Sequence, residues 1–70
     1  MREIPIRGEV IRLGQLLKLA GIADSGGHAR ALLEEGVVTV NGEGEARRGR
    51  QLRAGDVVAV GEESVRVAAA

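Results

Sequence analysis

The sequence predicts a small α+β domain in which two short helices pack on a small antiparallel sheet. Three observations carry that reading. Leu13, Leu16, Leu17 and Ala20 recur at helical spacing, and Ala29, Leu32 and Leu33 repeat the pattern. Val37-Val38-Thr39-Val40 and Val57-Val58-Ala59-Val60 are runs rich in β-branched residues. Asn41-Gly42 directly follows the first run, and Asn-Gly is the strongest short hairpin signal.

The elements follow in order. Residues 3–7 read as a short strand, which Pro5 confines to a sheet edge because it has no N–H to donate. Gly8 and Glu9 form a turn. Helix one runs over about 12–20, with Gln15 and Lys18 pointing away from its apolar face. Gly21 stands where a left-handed residue ends a helix, and Ile22 supplies the apolar contact just beyond. Leu19 lies off the buried stripe. Ser25 is the N-cap of helix two, about 26–35, with Gly26, Gly27 and His28 as its first turn. A capping box wants Glu or Gln where His28 stands. Gly36 ends that helix. Leu52 to Asp56 turn the chain into the strand at Val57–Val60, and Gly61-Glu62-Glu63 turn it again into Ser64–Val67. Ala68 to Ala70 are expected to fray.

Composition bounds the function. Seventy residues make one domain, 1–70, with its core at about 10–60. A chain this short buries only roughly 60% of the surface its unfolded form exposes, so its stability is a few kcal/mol. Without Cys and with one His there is no disulfide, no metal site is expected, and no cofactor motif is present. The longest apolar run is far too short to span a membrane, and no signal peptide is evident at the start. A soluble cytoplasmic domain is the expectation.

Ten Lys and Arg balance ten Asp and Glu. The distribution is uneven, however. Arg47, Arg48, Arg50 and Arg53 fall within seven residues that hold no acid. A neutral total can conceal a basic face and an acidic one. Clustered guanidinium groups repel one another unless an anion arrives, and their forks match phosphate oxygens. With no Phe, Tyr or Trp, bases cannot stack on aromatic rings, which favours recognition of structured RNA by its backbone over reading of single strands. Gly26-Gly27 at a helix start leaves backbone N–H groups uncovered, which suits an anion; the pair equally fits tight packing or a fraying first turn, and Asp24 alongside disfavours a phosphate.

Other constellations read as structure. Asp24, Ser25 and His28 are the residue types of a hydrolase triad, but so close together at a helix start they are caps. No catalytic residue is assigned, no small-molecule substrate is expected, and the chain reads as a non-enzyme. Gly42-Glu43-Gly44 precedes no helix, and Glu43 with Glu45 beside it would repel phosphate, so it is no phosphate loop.

Taken together, Arg12-Leu13 with Leu16-Leu17, then Ser25-Gly26-Gly27-His28-Ala29-Arg30, Gly36-Val37-Val38-Thr39-Val40-Asn41-Gly42, and Leu52 with Gly55-Asp56-Val57-Val58 resemble the S-four RNA-binding domain, named after the fourth small-subunit ribosomal protein. Leu-Gly-Gln-Leu-Leu-Lys-Leu, Ser-Gly-Gly and Arg-Arg-Gly-Arg look most like the stand-alone YaaA/YbcJ-like bacterial proteins of that family. The resemblance implies the alpha-L fold, two helices with a hairpin-containing sheet. It also implies an RNA-binding surface at Lys18, Ser25, Gly27, Arg30, Asn41, Gly42, Arg47, Arg48 and Arg50. The implied partner is structured RNA, ribosomal or transfer, and with it a ribosome or ribosomal subunit. This chain departs from the family's usual pattern at Gly26 and Gly27, where Arg is frequent, at His28, and at Gln51. The alternative reading is a protein–protein adaptor that uses the charged faces. Ser25 is expected to cap first and to contact RNA second. The Arg47, Arg48 and Arg50 side chains are expected to project freely into solvent.

Overall fold

The computed structural model describes residues 1–70. Strand β1 (Arg2–Ile6) and the two-residue β2 (Ile11–Arg12) lead into helix α1 (Leu13–Leu19) and helix α2 (Gly26–Glu34). Five strands complete the chain: β3 (Val38–Val40), β4 (Glu43–Gly44), β5 (Gln51–Leu52), β6 (Val57–Val60) and β7 (Glu63–Ala69). No helix is long and apolar enough to cross a membrane.

Both helices form where their apolar spacing places them. Leu13, Leu16 and Leu17 are wholly buried, while Leu19 remains 57% exposed. At the end of α1, Ile22 N–H donates to the Leu17 carbonyl and Gly21 N–H to that of Lys18, both at 3.0 Å. This is the Schellman arrangement, which needs the left-handed backbone that Gly21 adopts at φ +75°. Ile22 then packs on the core. Ala29 and Leu33 are the buried residues of α2.

The main sheet has the order β1-β7-β6-β3-β4. Val38 and Val40 point into the core and pair antiparallel with Val60 and Val58 of β6. Asn41 and Gly42, at φ +52° and +86°, turn β3 back into β4 as a two-residue hairpin. Val65 and Val67 face inward on β7, with Arg66 between them on the outside.

Three expectations are corrected by the fold. The sheet is mixed, because β1 runs parallel to β7, with Ile4 opposite Val67. Ala68 and Ala69 do not fray. They pair with Pro5 and Ile6, and Ala70 N–H donates to the Ile6 carbonyl at 3.2 Å. Parallel pairing with an edge strand that must cover Ile4 and Ile6 holds the last residues in place. Leu52, expected in a turn, lies in β5. It pairs with Ile11 of β2 in a separate two-stranded ladder and is fully buried. A single core of Ile, Leu, Val and Ala joins both helices to the sheet.

Candidate nucleic-acid interface

The segment between β4 and β5 is clamped to the start of α1. Leu13 N–H donates to the Arg50 carbonyl at 2.8 Å, and Gly14 N–H to the Arg48 carbonyl at 3.0 Å. These are two of the N–H groups a helix cannot satisfy internally, so the arginine segment itself caps α1. Its own conformation is set by Glu45, whose side chain is only 9% exposed. One Glu45 carboxylate oxygen accepts from the Ala46 and Arg47 N–H groups and from Arg47 Nε. The other accepts from Arg47 at 3.0 Å and Arg50 at 2.9 Å.

This overturns the expectation of three mutually repelling, freely projecting arginines. Arg47 and Arg50 share one carboxylate, and the Arg50 side chain is only 34% exposed. Glu45, which by sequence alone stands outside the arginine run, sits in its middle. Arg48 is the one that leaves the clip. Its stem lies across Gly14, where an added Cβ would stand 2.5 Å from the Arg48 Cγ.

A cleft of about 290 Å³ opens at this point, bordered by Arg12, Gln15 and Lys18 of the α1 side, Arg48 and Gly49 of the loop, and Gly26 of α2. No acid lines it. Arg12, Lys18 and Arg48 are exposed, and none is ion-paired. The Gly26 and Gly27 N–H groups have no partner within the protein. Arg48 also borders a second hollow with Arg30, whose guanidinium is paired with Glu34 at 2.9 Å. The three unpaired cations and the positive end of the α2 dipole are therefore brought to one acid-free depression.

Each residue assigned from the sequence can now be placed. Lys18 and Arg48 line the cleft, and Arg30 lies beyond Arg48 in the second hollow. Ser25 and Gly27 flank Gly26 at the start of α2. Ser25 Oγ accepts from His28 N–H at 3.1 Å, as an N-cap does. His28 Nδ1 in turn accepts from the N–H of Asp24, the residue before the cap, at 3.0 Å, whereas a capping-box Glu would accept from the Ser25 N–H. Arg47 and Arg50 are held by Glu45. Asn41 and Gly42 form the hairpin turn, which the structure does not bring to the cleft. The Asn41 amide donates to Asp56 at 3.0 Å and accepts from Val57 N–H at 2.9 Å. Arg12 and Gln15 join the site although the sequence motifs do not assign them to it. Their spacing with Lys18 at i, i+3 and i+6 puts them on the polar face of the helix, and that is the signal that marks them.

Two carboxylates have shifted acidities. The Arg47 guanidinium, then that of Arg50, holds the Glu45 carboxyl well below the usual range. The Arg53 N–H, followed by the Asn41 amide, lowers Asp56. Both folded-state values lie below the unfolded ones. The stability they contribute is complete above the ordinary carboxylate range, about 4 to 4.5, and is lost as pH falls through the depressed folded values. Denaturant titrations of Glu45→Gln and Asp56→Asn are expected to show a shallower fall in stability below about pH 4 than the unaltered protein. Parallel acid profiles for all three proteins would exclude this role.

Comparison with known proteins bears on the same region. The S4 domain family model matches residues 4–68, which take in both helices and every strand but the outer ends of β1 and β7. The chain belongs to the S4 domain family. This is the S-four family that the sequence motifs resemble. A relative of similar size is the "Probable ribosome maturation protein RlbA" of Bacillus subtilis (strain 168). It is 53% identical over 57 residues, which cover 81% of this chain and 80% of that protein.

Proposed function

We propose that this S4 domain binds structured RNA through backbone phosphates, with ribosomal RNA favoured over transfer RNA, and that it acts on a ribosome or ribosomal subunit in the cytoplasm. The observation that carries the reading is the convergence of Arg12, Lys18 and Arg48 on an acid-free cleft beside uncovered α2 N–H groups. Such a site fits a phosphate in size and charge, and a row of phosphates extends it past Arg48 toward Arg30. The lack of aromatic side chains leaves recognition to charge and shape. Family membership and the ribosome-maturation name of the relative support the RNA and ribosomal parts of the proposal.

The role is that of a binding module without catalysis. Ser25 Oγ and His28 Nδ1 both accept backbone N–H bonds at the α2 cap, and the Asp24 carboxylate stands 3.9 Å from His28. A nucleophile would instead donate its proton to the imidazole.

The test is titration of the purified protein with deproteinised ribosomal RNA, transfer RNA and poly(U) over a range of salt. The three unpaired cations at the site imply a log–log salt slope of about −2 to −3. Ribosomal RNA is expected to bind most tightly. Equal or tighter binding of poly(U) would overturn the structured-RNA reading, and tighter binding of transfer RNA would overturn the preference. No RNA binding at any salt would leave the adaptor reading.

A further inference from the structure

We infer that Gly14 is the positioning residue of this RNA site: its missing side chain seats the Arg48 stem, so that Arg48 alone of the three loop arginines meets the RNA while Arg47 and Arg50 fix the loop through Glu45. The inference rests on the RNA-binding reading and deepens it.

Gly14 is a locally unfavourable choice. It occupies the second position of a seven-residue helix, where alanine would strengthen the helix. Its φ is not in the left-handed region, so backbone conformation does not demand glycine. The demand comes from Arg48. An added Cβ would meet Arg48 Cγ at 2.5 Å and Cδ at 3.2 Å. These atoms begin the side chain and follow a carbonyl already bound to the Gly14 N–H. They cannot move away as a free guanidinium tip can. A methyl group at residue 14 must therefore rotate the Arg48 stem off the start of α1, and the guanidinium leaves the cleft with it.

Glu45 supplies the other half of the device. A bidentate carboxylate on Arg47, shared with Arg50, is the same kind of partner a phosphate would be. To reach RNA, either arginine would first have to leave it. Arg48 has no such partner and borders both hollows. The loop thus fixes itself with two arginines and offers the third.

The experiment measures affinity for deproteinised ribosomal RNA, its salt slope and the melting temperature for the full chain and four variants: Gly14→Ala, Arg48→Ala, the double variant, and Arg47→Gln. Gly14→Ala leaves every charge in place. It is nevertheless expected to weaken binding about tenfold and to flatten the salt slope by about one, as Arg48→Ala does. The double variant is expected to bind no more weakly than Arg48→Ala alone, because both changes remove the same contact. Arg47→Gln is expected to leave the slope unchanged. Should Gly14→Ala lower the melting temperature, adding Arg48→Ala removes the clashing Cγ and Cδ and is expected to restore it. Losses that multiply in the double variant would overturn the inference. A Gly14→Ala protein with unaltered slope, or an Arg47→Gln slope as flat as that of Arg48→Ala, would also overturn it. If the unaltered protein binds no RNA, the failure lies in the RNA reading and not in the role of Gly14.

Discussion

Leu17→Ala is expected to leave little folded protein in mild urea, whereas Leu19→Ala, two residues along the same helix, leaves the unfolding midpoint almost unmoved. Leu17 is fully buried in the one core that joins α1 to the sheet, and Leu19 is 57% exposed. Truncating a buried Leu to Ala costs about 2–5 kcal/mol, since the lost transfer free energy is joined by a cavity that the neighbours fill only in part. A domain of this size holds roughly 3–5 kcal/mol in reserve, with no disulfide or metal to add to it. The change thus consumes most or all of the stability. Surface substitutions usually stay within about 0.5 kcal/mol. Urea titrations followed by far-ultraviolet circular dichroism give the comparison directly. Equal midpoints for the two variants would mean that α1 does not present the face described.

The contrast between these two leucines is legible in the sequence alone, because helical periodicity is a local signal. So are Gly21, the Ser25 cap and the Asn41-Gly42 turn, each of which acts within a few residues of itself. What the sequence does not show is long-range. Ala68 and Ala69 carry no mark of a strand, and only pairing with Pro5 and Ile6 at the far end of the chain orders them. Leu52 looks like a turn residue until Ile11 pairs with it.

The site divides the same way. Charge and helix face point to Lys18 and Arg48. Arg12 and Gln15 share the face of Lys18, but neither belongs to a charge cluster, and the run of arginines is the stronger local signal. Within that run, counting charge does not tell a guanidinium bound to Glu45 from a free one. The distinction depends on a loop conformation that Glu45 and the α1 N–H groups create together. The seat of Arg48 on Gly14 joins residues from separate elements, and no spacing rule connects them.

Changing Arg12, Lys18 and Arg48 together to Gln is expected to weaken ribosomal RNA binding by more than a hundredfold while the melting temperature stays within a few degrees. The three side chains are exposed and have no ion-pair partner, so the folded protein loses no pairing when their charges go. In the complex each would bond to an anionic oxygen, a contact that contributes about 1.5 kcal/mol at the low end. Such terms do not add fully, and a combined loss of about 3 kcal/mol still exceeds two decades in Kd. The salt slope is expected to flatten by about three at the same time. A matched variant, Arg7, Arg53 and Arg66 to Gln, removes as many charges elsewhere. Arg53 borders a hollow with Ile6 and Gly8, and Arg66 pairs with Glu3 on the outside of the sheet. Its expected loss is a fewfold, the part due to net charge alone. Arg2 is left out of this control because its guanidinium donates to the Ala20 carbonyl at the end of α1. A third variant, Arg47 and Arg50 to Gln, is expected to melt earlier, since it strips the largely covered Glu45 carboxylate of both guanidinium partners. If the matched variant loses as much affinity as the cleft variant, attraction is spread over the whole surface and the cleft is not the site. If the Arg47 and Arg50 variant keeps its melting temperature and loses the most affinity, those two arginines leave Glu45 for the RNA, and the contact passes through them.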